Sequence, residues 1–231
     1  MAVSLTPEEL EALRRYSSPS IANAIETFNT VPRNEGFMGP EIRGLFPELG
    51  PMVGYAVTAM IRADVDPDRG QRVSVQEWWD YVLTLPAPRV LVMQDLDNPQ
   101  PVGAYWGEVQ ANLHRALGCV GTISDGGVRD LDEVRRLGFH FFAPRVLVSH
   151  AYVHLVRIGL PVRVGGLLVR PGDLLHGDQH GVVRVPEDLA RQVPAAAARV
   201  EATERELIAC CQSPDFTVDR LKDAWKKLRG T

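Results

Sequence analysis

The apolar positions of the chain change period several times, and each change marks an element. Thr6-Pro7-Glu8-Glu9 is a capping box with proline at the first helical position, and it predicts a short helix to about residue 16. Ser18-Pro19 repeats the start signal, after which Ile21, Ala24, Ile25 and Phe28 share one helical face. Residues 29–51, rich in Gly, Pro and Asn, predict loop. Residues 52–61 (MVGYAVTAMI) are apolar and β-prone and predict a buried strand, whereas 62–72, polar and broken by Pro67 and Gly70, predict an exposed connection. Ser74-Val75-Gln76-Glu77 opens a third helix carrying Trp78, Trp79, Val82 and Leu83, which Pro86 and Pro88 end. Adjacent helical side chains point about 100° apart, so one tryptophan is expected in the core and the other against a partner or a loop.

Residues 89–94 (RVLVMQ) predict a strand, and Asp95-Leu96-Asp97-Asn98-Pro99 an acidic turn. Residues 103–117 predict a loop and then a helix with Val109, Leu113 and Leu117 inward, stopped by Gly118. The stretch 119–136 (CVGTISDGGVRDLDEVRR) reads as strand, glycine turn and helix start. Asp130, with Glu133 three residues on, has the form of an N-cap with a capping box. Arg129 and Asp130 then stand at the C-terminal end of a strand, where ligands of α/β sheets tend to sit. An ordinary loop with two surface charges is equally compatible with this stretch taken alone. Residues 139–143 predict a strand, 144–160 are ambiguous, and 162–164, 167–169 and 182–185 predict short strands separated by Gly165-Gly166, Pro171-Gly172 and Gly181. Residues 187–211 predict a long Ala-rich helix, broken at Ser213-Pro214 before a last helix to 228. The expected architecture is one α/β domain over residues 1–231, with 187–231 as a helical C-terminal arm.

Composition narrows the function classes. An apolar content of 45% and a charged content of 23% allow a substantial core in 231 residues. A net charge of −4 without a basic block argues against nucleic-acid binding, and no apolar run has the length of a membrane span. Three cysteines, two of them adjacent at Cys210-Cys211, form neither a disulfide framework nor a zinc spacing. A reduced, cytoplasmic protein with no membrane partner is expected.

The motifs go further in combination. Gly107-Glu108 opens a helix; then come Gly121-Thr-Ile-Ser-Asp125-Gly-Gly-Val-Arg129-Asp130 and, later, Pro171-Gly172-Asp173 through Gly177-Asp178 to Gly181 and Pro186. This resembles the class II pyruvate aldolases acting on 4-hydroxy-4-methyl-2-oxoglutarate and 4-carboxy-4-hydroxy-2-oxoadipate, which share a fold with the regulator of ribonuclease activity A. The resemblance covers roughly residues 17–210. The active-site signature of that family is an acidic residue, twenty intervening residues, then Arg-Asp, and Glu108 to Arg129 has that spacing. The best-known aldolases carry Asp where this chain has Glu108.

The resemblance implies a ββα sandwich of the swivelling type with flanking helices, assembled as a homotrimer or hexamer with the site between subunits. It implies a Mg²⁺ or Mn²⁺ cofactor ligated by Asp130, with Glu108 holding a metal-bound water, and a small oxo-acid substrate. Arg129 then offsets the enolate charge, and the Val109 and Gln110 amides receive the pyruvate carboxylate. The residue types suit that chemistry: hard divalent cations take oxygen ligands and keep waters, Arg forks onto carboxylates, and a helix start favours anions. The tryptophan pair and the arm are compatible with assembly. Asp125 is read either as support for the site or as a cap on the glycine turn. For the base the resemblance implies a metal-bound water and a carboxylate of the neighbouring subunit; Glu201, Glu204 and Glu206 are candidates for that carboxylate, with no motif to choose among them. His150 and His154, four apart, are read as surface or capping residues rather than zinc ligands, His176 to His180 as a solvated turn, and Cys210-Cys211 as packing. The rival expectation is a non-catalytic ribonuclease-binding regulator.

Overall fold

The computed structural model describes residues 4–67, 72–99 and 101–229. The centre of the connection expected at 62–72, Gly70 included, lies outside the described residues. The helix starts follow the capping chemistry. Thr6 Oγ1 accepts from the Glu9 N–H at 3.2 Å and the Glu9 carboxylate accepts from the Thr6 N–H at 2.8 Å, opening α1 (Pro7–Arg14). Ser74 and Glu77 repeat this for α3 (Val75–Thr84). Between them, Ser17 caps α2 (Ser18–Glu26).

The hub of the sheet is β1 (Met52–Arg62), whose burial does not alternate because both faces are covered. One edge pairs in parallel with β2 (Arg89–Asp95). The other edge is shared, with β11 (Leu174–Asp178) antiparallel along its start and β8 (His154–Ile158) antiparallel along its end. Beyond β2 the parallel order continues through β4 (Cys119–Ser124) to β6 (His140–Phe142), and β12 (Gly181–Val185) flanks β11. The strands β9 (Val162–Val164) and β10 (Leu167–Val169) form a hairpin. A separate three-stranded parallel sheet is built from β3 (Ala104–Trp106), β5 (Gly127–Val128) and β7 (Arg145–Val146). Helices α4 (Glu108–Ala116) and α5 (Leu131–Leu137) follow β3 and β5. The chain closes with α6 (Val193–Gln212) and α7 (Val218–Arg229), which packs along α6. The fold is mixed α/β with flanking helices.

Among the described residues, three apolar clusters hold it together. Trp78, Trp106, Phe139 and Phe141 fill the space under α3 and α4; α1, α2 and the start of α6 pack on Val53, Leu174 and Val185; and the β9–β10 hairpin packs with Met52, Val92 and Leu175. Several expectations are corrected here. Trp78 is fully buried, as expected of one of the pair, but Trp79 packs against the same cluster rather than outward on a partner; Val75 and Leu83 are the exposed large apolar residues of that helix. In α4 the buried residues are Ala111 and His114, while Val109 and Leu113 are exposed, because the buried face is fixed by contact with Trp78 and Trp106. His176 is not in a solvated turn: β11 is paired on both sides, and the ring is buried with Nδ1 2.9 Å from Ser18 Oγ. Residues 187–192 are turns with Leu189 and Ala190 buried, so the last long helix begins at Val193 and its first turns belong to the core. Among the described residues, no helix is long and apolar enough to cross a membrane.

Buried titratable groups make stability depend on pH. His114 accepts from Trp78 Nε1–H at Nε2 (2.7 Å) and donates from Nδ1 to Gln110 O (2.7 Å), which fixes a neutral tautomer. Burial pushes its pKa down to about 4, and those of His140 and His176 likewise to about 4. The unfolded chain therefore binds more protons than the native one below about pH 6.5, and each imidazole withdraws stability as pH falls from there to about 4. Burial also raises Asp95 and Asp125 to about 6, and these carboxyls act in the opposite sense, favouring the native state on the acid side. His114→Gln, which keeps an acceptor and a donor, is expected to lose roughly 2–3 kcal/mol less than the wild type between pH 7 and 4.5, because it lacks the imidazole whose pKa burial lowers from 6.5 to about 4. Urea unfolding at the two pH values measures this, and parallel losses in both proteins would contradict it.

Candidate active site

Two strand-to-helix junctions meet side by side. β3 and β5 pair in parallel, Ala104 opposite Gly127 and Trp106 opposite Val128, and the Arg129 N–H donates to Trp106 O at 2.9 Å. Each strand leads into a helix N-terminus, β3 through Gly107 into α4 and β5 through Arg129-Asp130 into α5. The twenty residues between Glu108 and Arg129 are thus one excursion through α4 and β4 that returns beside its start.

Asp130 is the residue that joins them. Its backbone is left-handed (φ 57, ψ 45), a region that Asp tolerates better than most residues. Its side chain does not cap α5, so the capping box expected with Glu133 is not formed; Glu133 instead pairs with Arg136 at 3.2 Å. The Asp130 carboxylate reaches across to the other helix, where Oδ2 accepts from the Glu108 N–H, the first of α4, at 2.9 Å. The left-handed turn is the physical reason, because it aims the side chain away from its own helix. Arg129 Nε lies 3.7 Å from the same Oδ2, with both side chains about a third exposed (36% and 38%). Gly107 permits the approach: a Cβ there would lie 2.4 Å from Asp130 Oδ2 and 3.1 Å from Arg129 Cγ.

These groups border a cleft of about 160 Å³ lined by Tyr105, Val109, Gln110, Arg129, Asp130 and His150, among others. Four of the five expected site residues, Val109, Gln110, Arg129 and Asp130, are therefore together. Glu108 contributes its backbone N–H to Asp130, and its side chain is exposed and absent from the lining. The Val109 and Gln110 N–H groups belong to the first turn of α4 and have no intrahelical partner. Both contacts of Asp130 use Oδ2, and Oδ1 has the capacity to ligate. Among the described residues, no group of three or more His, Cys, Asp or Glu is arranged to hold a metal ion. A single carboxylate with substrate oxygens and waters nevertheless fits Mg²⁺ or Mn²⁺, which need one or two carboxylates, and does not fit zinc.

Asp125 is not a cap on the glycine turn. Its Oδ1 accepts from the Asp95 N–H on β2 at 2.7 Å, while Ser124 Oγ accepts from the Gly126 N–H at 3.0 Å. Burial raises both carboxyls to about 6; the Asp125 carboxyl ties β2 to the turn that leads to Arg129, while the Asp95 carboxyl accepts from the Asp97 N–H at 2.8 Å. Glu201 and Glu204 tie α6 to α2 through Ser20 (3.0 Å) and Asn23 (3.5 Å). Tyr105 and His150 line the cleft without having been singled out for it, and burial pushes the Tyr105 phenol up, so it stays protonated. The alternation within β3 carries the only sequence signal for Tyr105, once Trp106 is known to face the core.

A family model described as RraA-like, Aldolase/RraA, matches residues 20–184. A protein from Halalkalibacterium halodurans, named as a candidate 4-hydroxy-4-methyl-2-oxoglutarate aldolase, is 29% identical over 109 residues, 45% of this chain and 52% of that one. The match thus spans about half the length of that relative. The crystal structure of an uncharacterized protein from Pseudomonas syringae pv. tomato str. DC3000 superposes with a TM-score of 0.74 at 25% identity, covering 98% of this chain and 97% of the other. RraAS2 of Streptomyces coelicolor, described as an unusual member of the RNase ES inhibitor RraA family, superposes with a TM-score of 0.68 at 25% identity, covering 87% and 97%.

Gly107→Ala is the direct test of the junction. The added methyl meets the Asp130 carboxylate below contact distance, so a loss of about 1–3 kcal/mol is expected from forced displacement. A melting temperature equal to that of the wild type would contradict the close approach.

Proposed function

The chain belongs to the aldolase/RraA family, and on that footing we propose that it is a divalent-metal-dependent carbon–carbon lyase. In this reading it cleaves a 4-hydroxy-2-oxo acid to pyruvate and a second oxo compound, with oxaloacetate decarboxylation as a side activity. The observation that carries the reading is the meeting of Arg129, Asp130 and the start of α4 in one cleft. Both reactions leave an electron pair on C3 of a pyruvate unit, so the site must stabilise an enolate. The Arg129 guanidinium, a fixed cation with planar donors, offsets the charge on the enolate oxygen. The free N–H groups of Val109 and Gln110 take the substrate carboxylate at a helix N-terminus. Asp130 would hold Mg²⁺ or Mn²⁺ through Oδ1, and Glu108 would hold a water beside it. When bound, such a cation supplies Lewis-acid polarisation of the 2-keto oxygen.

A trimer, or a hexamer of two trimers, with the cleft between subunits is part of the same proposal. It is supported by apolar side chains on segments bordering the cleft: Val109 is 70% exposed, Val148 96% and Tyr152 58%. Monomers rarely leave large apolar patches in water.

A coupled pyruvate-release assay on 4-hydroxy-2-oxo acids and oxaloacetate, with Mg²⁺ or with chelator, tests the activity. Arg129→Ala is expected to lose about 10²–10³ in turnover, the usual effect of removing a donor aimed at developing charge; near-normal release would refute its role. Asp130→Asn keeps an acceptor for the Glu108 N–H and a residue that tolerates the left-handed turn. It should therefore fold like the wild type and lose the Mg²⁺-dependent rate, and a rate that persists in chelator would refute the metal role.

A further inference from the structure

Away from the cleft, one half-buried cation has nothing to answer it. Arg14 stands in the last turn of α1, with Nε out of reach of water and without an acceptor. Among the described residues, its guanidinium makes no hydrogen bond and no ion pair. A cation in this turn suits the helix dipole, yet no carbonyl of α1 accepts from it. Arg is always charged in a protein. Buried polar atoms are almost always partnered, and an exception calls for a bound ion or water.

A second polar side chain beside it is in the same condition. His140 opens β6 opposite Gly121 of β4. Its ring stacks on Phe142, with centroids 6.2 Å apart, and makes no hydrogen bond among the described residues. A Cβ at Gly121 would lie 2.6 Å from both His140 Cβ and Met52 Sδ, so the starts of β1, β4 and β6 crowd together here. The end of α1 lies over the same end of the sheet, since Leu13 O is 3.3 Å from His176 Nε2 on β11. Burial lowers the pKa of His140 and of His176 to about 4, and the Arg14 charge pushes both in the same direction, which puts the guanidinium near both rings. His176 spends its nitrogens on Ser18 Oγ and Leu13 O. Asp178, the acid that acts on His176, accepts from the Ser18 N–H at 2.9 Å and the His180 N–H at 2.8 Å. Arg14 and His140 are left with donors that no group of the chain takes up.

We propose that Arg14 and His140 form a binding site for a small oxyanion at the N-terminal ends of the parallel strands. The planar guanidinium takes two oxygens of one anion in parallel, and the neutral imidazole gives its one N–H to the same ligand. Both side chains are only partly covered, so an anion can reach them from solvent. Bound there, it would join α1 to β6 across the end of the sheet. A tetrahedral dianion and a planar carboxylate present the same pair of oxygens to Arg14, and the test separates them. The site lies at the opposite end of β4 from the turn that leads to Arg129 and does not rest on the lyase reading.

The test compares melting temperatures in sodium sulfate, sodium formate and sodium chloride at equal ionic strength and neutral pH. It uses the wild type, Arg14→Gln, His140→Gln and Arg15→Gln, the last a control that removes the same charge from an exposed neighbour. Sulfate stabilises proteins in general by exclusion from their surface, so the difference between variants carries the answer. Expected in the wild type and in Arg15→Gln is a saturable rise of about 2–6 °C over chloride, at roughly ten times the dissociation constant of the anion. Arg14→Gln and His140→Gln should lose about half of that rise or more. A rise with sulfate alone assigns the site to tetrahedral dianions, and a rise with formate alone assigns it to carboxylates. No saturable rise with either anion overturns the site, as does a rise that survives Arg14→Gln or falls equally in Arg15→Gln. Should His140→Gln fail to fold, Arg14→Gln against Arg15→Gln decides.

Discussion

The hydrogen bond from the Glu108 N–H to Asp130 Oδ2 ties one strand-to-helix junction to its neighbour, and the site depends on it. It satisfies the first orphan donor of α4 with a carboxylate from the next junction, so the positive end of that helix faces a fixed negative charge. It also sets the position of Arg129, whose Nε lies near the same oxygen. Three features exist to permit it: the parallel pairing of β3 with β5, the missing side chain at Gly107 and the left-handed backbone of Asp130. Strain at Asp130 is offset by this capping contact, which its carboxylate could not make from a helical conformation.

The remainder of the fold serves to keep the two junctions in register. Trp78 Nε1 bonded to His114 anchors α3 to α4 inside the aromatic cluster, so the start of α4 cannot rotate freely. Asp125 bonded to the Asp95 N–H fixes the turn before Arg129 to β2 and so to the central sheet. The turn bearing His150 is docked onto β3 from the other side. A cleft assembled this way from rigid elements needs no large motion to present its donors, and apolar side chains such as Val109 and Val148 stand exposed around it.

Much of this was legible in the sequence because the signals were local. Thr6 with Glu9 and Ser74 with Glu77 mark helix starts by chemistry confined to four residues. The β1 segment is apolar throughout because both of its faces are covered, and the spacing from Glu108 to Arg129 encodes one complete excursion of the chain. What escaped depends on tertiary contacts. The strands β5 and β7 are two residues long and have no period to read. Asp130 with Glu133 has the pattern of a capping box, yet the left-handed backbone sends the carboxylate elsewhere. Val109 and Leu113 have apolar spacing but face outward, since polar His114 takes the buried position opposite the tryptophans. His150 stands four residues from His154, a spacing that does not point to the cleft; only the docking of its turn onto β3 brings it there.

The central claim is that Asp130 serves two masters, the α4 amide through Oδ2 and a divalent cation through Oδ1, beside amides that receive a pyruvate carboxylate. Anomalous diffraction from crystals grown with Mn²⁺ and pyruvate tests this most directly. The account predicts a manganese peak in direct contact with Asp130, with the pyruvate carboxylate on the Val109 and Gln110 N–H groups and Arg129 over its keto oxygen. A peak away from Asp130, or pyruvate bound elsewhere with the cleft holding only solvent, would contradict it.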